Sequence, residues 1–181
     1  MPTRGPRSLG GAGPTSAAQG RLDCVPMQVS PHVYVDADAC PVKAEVAKVA
    51  ERHGLAVTYV ANTWLQPPRG SRFRTQVVSG GFDAADDWIV EHVVVADVVI
   101  TADIPLASRC LKKGARVLGP SGKPFTDDNI GNALATRELM ADLRAYGVGG
   151  GPAPFGPRDR SRFLEALELV VREAKRGLAG G

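Results

Sequence analysis

Short apolar segments alternate with longer amphipathic ones from about residue 31 to residue 176. The short segments predict five strands, at 33–35, 56–60, 75–78, 97–101 and 115–119. The amphipathic segments predict helices at 41–53, at about 82–94 and at about 104–113, with two more after Thr126 and from about Arg158. Strands that alternate with helices are joined by right-handed crossovers. The pattern therefore predicts an α/β fold with a mainly parallel sheet.

The length and the distribution of residue types favour one domain with tails. The chain has 181 residues, enough for one sizeable core. Residues 1–30 are rich in Gly, Pro, Ser and Ala and carry few large apolar side chains, so they predict a disordered leader. Met27 is an alternative start of the chain. We expect a single three-layer domain at 31–176, which includes the C-terminal helices, and a flexible tail at 177–181.

Charge and cysteine content narrow the function classes only slightly. The chain carries 22 basic and 19 acidic residues, and the basic excess lies outside residues 31–130. This distribution only weakly favours a polyanionic partner. Cys24, Cys40 and Cys110 form no C-x-x-C pair, which argues against a disulfide framework or a zinc site and favours the cytoplasm. The sequence shows neither a secretion signal nor a membrane span.

Aspartates follow or precede the predicted elements in a way that gathers them at one edge of the sheet. Asp36 and Asp38 follow the first strand directly, and Asp103 follows the fourth. Three more open the helix after the third strand: Asp83, Asp86 and Asp87. Ligands of open parallel sheets bind beyond the carboxyl ends of the strands. Up to six carboxylates are therefore expected to face one cleft.

A cluster of carboxylates repels itself unless cations occupy it. All-oxygen sites of this kind suit Mg²⁺ or Mn²⁺, and the chemistry most often built on them is phosphoryl transfer. The combination of Asp36, Asp103 and either Asp83 or Asp87 is the strongest candidate, because it draws on three strand or helix ends.

Several acids also have a purely structural interpretation. Asp38 and Asp86 are each able to cap a helix start instead of binding a ligand. Asp97 is expected to be a surface or turn residue. Asp127 and Asp128 are expected to be helix-start acids.

Basic and aromatic residues on the loop before the third strand are candidates for nucleic-acid binding: Arg69, Arg72 and Arg74, near Trp64 and Phe73. Such a mixture holds a phosphate backbone and stacks a base. The alternative is a solvated loop with ordinary surface arginines. Arg137 and Arg144, further along the chain, are interpreted as partners for acids on neighbouring elements.

Five segments together closely resemble the YaiI/YqxD family of bacterial proteins: VDADACPVK at 35–43, GFDAADDWI at 81–89, DVVITADIPLA at 97–107, GGP at 150–152 and Asp159-Arg160. The resemblance covers about residues 32–175. It implies a branch of the PIN-like nuclease superfamily, with Mg²⁺- or Mn²⁺-dependent cleavage of RNA or DNA.

The same resemblance implies a set of site residues. Asp36, Asp38 and Asp103 would be catalytic, and four acids would bind the metal: Asp36, Asp83, Asp87 and Asp103. Nucleic acid, and RNA above all, is the implied partner.

Two other function classes remain open. Asp36-x-Asp38 also resembles the nucleophile and general acid of haloacid-dehalogenase-like phosphatases, with Asp86 and Asp87 in place of the later acidic pair. However, Ala39 stands where that group favours Thr or Val. The second alternative is a nucleic-acid-binding protein without catalysis, since fold does not fix function.

Overall fold

The structure is a computed structural model that describes residues 30–38, 40–81, 83–146 and 155–179. The expectations for the leader, for Met27 and for the Gly-Gly-Pro segment at 150–152 fall outside these ranges, apart from residue 30.

Six strands and five helices make up the described chain. The strands are β1 (Val33–Asp36), β2 (Val57–Ala61), β3 (Phe73–Val77), β4 (Val98–Ile100), β5 (Arg116–Leu118) and β6 (Pro124–Phe125). The helices are α1 (Lys43–His53), α2 (Ala84–His92), α3 (Ile104–Lys112), α4 (Asp127–Ala145) and α5 (Pro157–Ala179). The predicted elements are all present, and their bounds shift by one to three residues.

The strands form one sheet in the order β3-β2-β1-β4-β5-β6. The first five are parallel, and β6 pairs antiparallel with β5, with Val117 opposite Phe125. The prediction that β5 is the last strand is therefore wrong. The two residues of β6 are too short to leave a pattern in the sequence. The predicted α/β class and mainly parallel sheet are confirmed.

Helices cover both faces of the sheet, which gives the expected three layers. Val33 and Val35 of β1 pack with α1 and α5, whereas Tyr34 between them packs with α2 and α3. This follows from the alternation of side chains along a strand. Because both faces are covered, the central strands carry uninterrupted apolar runs.

The C-terminal helix α5 supplies the apolar face that the sequence predicts. Phe163, Leu167 and Val171 are at most 1% exposed and pack against the sheet beside α1. The helix continues through Gly177 to Ala179, three residues into the segment that was expected to be a tail.

Helix α4 differs from the others because none of its residues is buried. It begins after Thr126, whose N–H donates to Asn129 Oδ1 at 3.0 Å, and it packs against α3. Its apolar residues Leu139 and Met140 are 58% and 50% exposed. Among the described helices, none is long and apolar enough to cross a membrane.

Asp97 closes the turn before β4, as one of the two predicted alternatives has it, but the surface alternative is wrong because the residue is buried. It is 5% exposed, and its carboxylate accepts the N–H of His32 at 2.8 Å and that of Val94 at 3.0 Å. These bonds join the start of β1 to the turn before β4. Burial raises the pKa of Asp97, and the two N–H donors act in the opposite direction.

Gly122, in the turn between β5 and β6, allows a close contact with α5. It has a φ of +80°, and a Cβ there would lie 2.9 Å from the backbone carbon and oxygen of Arg162. We expect Gly122→Ala to lower the free energy of unfolding by about 2–3 kcal/mol. Gly131→Ala is the matched control: Gly131 lies inside α4 with open space around it, so alanine should add about 0.5–1 kcal/mol. Urea unfolding of both variants measures the difference, and equal effects would contradict the close contact.

Candidate functional site

The centre of the sheet is the point where the direction of the crossovers reverses. From β1 the chain passes through α1 to β2 on one side, and from β4 it passes through α3 to β5 on the other. Because β1 and β4 are adjacent, their carboxyl ends open a crevice between these connections. Asp36 is the last residue of β1, and Asp103 precedes α3.

One hydroxyl group connects these two aspartates. Thr101, which is 1% exposed, donates its Oγ1–H to Asp36 Oδ2 at 2.9 Å. The same oxygen accepts the N–H of Asp103, also at 2.9 Å. Asp103 then caps α3, because its Oδ1 accepts the N–H of Leu106 at 2.8 Å. These bonds fix Asp36 and Asp103 relative to each other.

Asp38 ties the turn after β1 to the neighbouring strand. Its Oδ2 accepts the N–H of Asn62, the residue after β2, at 2.9 Å. The helix cap expected as an alternative for Asp38 is wrong, because α1 begins after Val42 without a side-chain cap. The carboxylate instead holds the residue after β2.

The start of α2 sends Asp86, rather than Asp87, towards these acids. The Asp87 carboxylate is 59% exposed and forms an ion pair with Arg109 of α3 at 2.6 Å. Asp86 is partly buried, and the charges of Asp103, Asp36 and Asp83 all act on it. We call Asp36, Asp38, Asp83, Asp86 and Asp103 the acidic cluster.

Electrostatic repulsion and burial both act on the cluster. Burial raises the pKa of Asp36 above its usual value, the charges of Asp38 and Asp103 raise it further, and the hydrogen bond from Thr101 opposes the shift. Burial together with the charges of Asp103, Asp36 and Asp83 raises the pKa of Asp86 from 3.8 to about 6. A cation at this edge would relieve both shifts.

The donors of the cluster fit a hydrated divalent cation better than a fully enclosed one. Among the described residues, no group of three or more His, Cys, Asp or Glu side chains is close enough to hold a metal ion. Mg²⁺ does not need such a group, because it usually keeps several waters and takes one or two carboxylates from the protein. Asp36 and Asp103 are suited to this, since the hydrogen bonds of Thr101 fix them beside each other.

The loop arginines lie at the opposite edge of the sheet, away from the acidic cluster. Phe73 pairs with Val57 at the start of β2, so the residues just before it sit at the amino edge. There Arg72 donates to Gly54 O at 2.8 Å, and Arg74 donates to Thr58 Oγ1 at 3.0 Å. Arg69 precedes the same turn and is exposed. The expectation that these arginines lie beside the cleft is wrong, because β3 is parallel and the chain must return to the amino edge before it begins. Only the first residues of the loop, at Asn62, lie beside the acids.

Two functional candidates were not selected by the sequence analysis. Ala85 and Ile89 are the buried residues of α2, and with 100° per residue Asp86 lies roughly 80° from the centre of that face, whereas Asp87 lies roughly 180° away. The apolar pattern of α2 therefore indicates that Asp86, and not Asp87, lies on the side of the helix nearer the core. Thr101 stands between a strand end and Asp103, a position where its hydroxyl contacts both neighbouring acids.

These features define the class: a doubly wound α/β protein with an acidic cluster at the point where the strand order reverses. The chain belongs to the YaiI/YqxD family, since the model of that family, described as uncharacterized BCR, matches residues 34–173.

Individual relatives agree with this assignment. A UPF0178 protein of Agrobacterium fabrum is 56% identical over 151 residues, which cover 83% of this chain and 99% of the relative. A UPF0178 protein of Azorhizobium caulinodans is 59% identical over 145 residues, which cover 80% and 91% respectively. A third, from Rhodospirillum rubrum, is 57% identical over 147 residues, 80% of this chain and 98% of the relative. No solved structure matches the chain.

The raised pKa of Asp86 lowers stability as pH rises from about 4 to about 6. Across this window the folded state keeps a proton on Asp86 that the unfolded state has lost, so the contribution of Asp86 to the free energy of unfolding decreases. His32 acts in the opposite direction, because burial lowers its pKa from 6.5 to about 4. We expect Asp86→Asn to remove the Asp86 contribution from the pH profile and to stabilise the metal-free protein at pH 7 by about 1 kcal/mol, after allowance for solvent screening.

Asp87→Asn is the matched control for this measurement. It removes an exposed ion pair, so its effect should stay within about 0.5 kcal/mol and leave the pH profile between pH 4 and 6 unchanged. Urea unfolding in EDTA at several pH values measures both variants. A pH profile of Asp86→Asn that matches the unsubstituted protein would contradict the placement of Asp86.

Proposed function

We propose that this protein is a nuclease that hydrolyses phosphodiester bonds of RNA or DNA and depends on Mg²⁺ or Mn²⁺. The observation that carries the proposal is the gathering of Asp36, Asp86 and Asp103 at the crevice between β1 and β4, where burial and repulsion raise the pKa of Asp86 to about 6. Strongly shifted acids in a cleft mark candidate functional sites. The resemblance to the PIN-like superfamily supports the same activity.

Each residue has a distinct role in this proposal. Asp36 and Asp103 bind the cation, and Asp83, at the exposed start of α2, adds negative charge at the rim. Thr101 orients Asp36 through its hydrogen bond. Asp38 holds the turn after β1. A bound Mg²⁺ or Mn²⁺ would stabilise charge on the phosphate and activate water.

Asp86 is the group suited to accept a proton. The charges of Asp36 and Asp103 act on its carboxylate, so Asp86 lies near the two acids that would bind the cation without being one of them. A carboxylate in that position is able to take a proton from a water that the cation activates. Asp87 has no part in the proposed site, because its carboxylate pairs with Arg109.

The phosphatase alternative assigns the nucleophile to Asp36 and the general acid to Asp38. The carboxylate that would act as the general acid, Asp38, already accepts the N–H of Asn62. This contact supports a role for Asp38 in holding the turn in place. It favours the nuclease over the phosphatase.

Activity measurements on the full chain separate the alternatives. The protein is incubated with labelled single-stranded RNA, with labelled single-stranded DNA and with p-nitrophenyl phosphate, with and without Mn²⁺. We expect cleavage of a nucleic acid that requires Mn²⁺ and falls more than about 100-fold in Asp36→Asn and Asp103→Asn. Asp128→Asn, an exposed acid in the first turn of α4, is the control and should retain full activity.

Three results would contradict the nuclease. Cleavage that survives both substitutions would come from a contaminant or from another site. Turnover of p-nitrophenyl phosphate alone, lost in Asp36→Asn, would establish the phosphatase. Binding of RNA or DNA without turnover of any substrate would support the non-catalytic alternative.

Cation binding has a readout that does not depend on activity. A ligand that binds only the folded state raises the melting temperature. We expect Mn²⁺ to raise it, EDTA to reverse the rise, and Asp36→Asn to lose most of the response. Asp36→Asn should itself fold, because burial already disfavours the charged form of this residue and asparagine keeps an oxygen for Thr101. An equal response in this variant would place the cation elsewhere.

A further inference from the structure

A groove lies along the exposed helix α4 and reaches the first residue of α3. It has a volume of about 440 Å³, and we define the α4 groove by Ile104, Thr136, Arg137, Met140 and Arg144. Ile104 directly follows Asp103 in the chain. The groove therefore reaches the chain neighbour of Asp103, a member of the acidic cluster.

The two arginines of the α4 groove lie on the same side of the helix. They are seven residues apart, which places them roughly 20° from each other around the axis and roughly 10 Å apart along it. The acids of this part of α4, Glu138 and Asp142, lie roughly 100° and 140° from Arg137. Positive charge is thus concentrated on the face that borders the groove.

Neither arginine is neutralised by a neighbouring acid. In the part of the chain that the structure describes, Arg137 and Arg144 have no carboxylate within ion-pair distance, so the pairing expected from the sequence is wrong. Arg109, by contrast, pairs with Asp87. The guanidinium groups of α4 are therefore available to an anionic partner, and guanidinium matches phosphate geometry.

An exposed aromatic residue lies on the other side of the acidic cluster. Trp64 is 68% exposed and follows Asn62, whose N–H binds Asp38, by two residues. Its Cα therefore lies within about 7 Å of that of Asn62. Phe73, the other aromatic residue of this loop, is buried and unsuited to stacking.

The order of the strands fixes the sequence of these features along the carboxyl edge. Trp64 follows β2, the acids follow β1 and β4, and the α4 groove lies beyond the start of α3. The order across the carboxyl edge is thus the indole of Trp64, then the acidic cluster, then the two arginines of the α4 groove. A ligand that spans all three must offer a flat aromatic group, a site for the cation and anionic groups beyond it.

We propose that a single strand of nucleic acid crosses the carboxyl edge, with its phosphates in the α4 groove and an unpaired base stacked on Trp64. This inference rests on the proposed function and names the residues that would hold its substrate. Phosphates meet Arg137 and Arg144, and stacking on an indole tolerates any base. A base inside a duplex cannot stack in this way, so the surface selects unpaired strands. RNA and DNA share this chemistry.

Binding of the full chain to labelled oligonucleotides tests the proposal apart from cleavage. Fluorescence anisotropy is measured with EDTA and with Ca²⁺ for one sequence as single-stranded RNA, as single-stranded DNA and as a hairpin duplex. Gel electrophoresis checks that each oligonucleotide stays intact. The variants are Arg137→Ala, Arg144→Ala and Trp64→Ala, with Arg69→Ala as the matched control at the opposite edge of the sheet.

We expect single strands to bind more tightly than the duplex. Each arginine variant should weaken single-strand binding roughly fivefold to tenfold and reduce the slope of log affinity against log salt by about 0.7. Trp64→Ala should weaken it roughly tenfold and remove the preference over the duplex. Arg69→Ala should change neither quantity.

All four side chains are exposed, so the melting temperature should not change. The RNA and DNA arms decide which backbone is preferred.

Specific outcomes would overturn the proposal. Salt slopes that stay the same in both α4 variants but fall in Arg69→Ala would move the binding surface to the amino edge. Equal binding of duplex and single strand, unaffected by Trp64→Ala, would exclude stacking. If the α4 variants cleave nucleic acid with unchanged KM, the proposed binding surface is wrong but the proposed nuclease activity is not. Binding that depends on the α4 arginines without cleavage would support this surface and contradict the nuclease.

Discussion

The hydrogen bond from Thr101 to Asp36 is the interaction on which the candidate site depends. It links the ends of β1 and β4, the two strands from which the crossovers leave in opposite directions. Because the same hydroxyl accepts the N–H of Asp103, it also sets the start of α3. The strand order forms the crevice between β1 and β4. The buried Thr101 then fixes the positions of the Asp36 and Asp103 carboxylates in that crevice.

The acids at the two edges of the sheet differ in how their charge is compensated. At the amino edge, the Asp97 carboxylate accepts two backbone N–H groups, which compensate its burial and give it a structural role. At the carboxyl edge, Asp86 is opposed by the charges of three other acids, and Arg109, which acts against the shift, is paired with Asp87. The second arrangement costs stability at neutral pH. It is understandable as a site prepared for positive charge, and this contrast is the physical argument for function at that edge.

Much of the fold was predictable because its elements carry strong local patterns. The apolar runs of β1 and β4 and the buried face of α5 all appear as expected, and the parallel order follows from their alternation with helices. The candidate site was predictable only in part. Strand ends located Asp36 and Asp103, but the choice between Asp86 and Asp87 depended on which way α2 faces the core. The loop arginines were misplaced because residue types do not reveal which edge of a parallel sheet a returning loop reaches.

Helix α4 is the helix whose sequence is least explained by packing. A helix of 19 residues with no buried side chain contributes little hydrophobic stabilisation, so packing does not account for its sequence. Its arginines share one side and its acids lie on another, although neither arrangement serves the core. A phosphate-binding face would explain why the arginines lie on one side of α4 and the acids on another. Because the core does not constrain the residues of α4, their charges are free to match those of a partner. The charge pattern of α4 is therefore more informative about a partner than that of the helices that pack in the core.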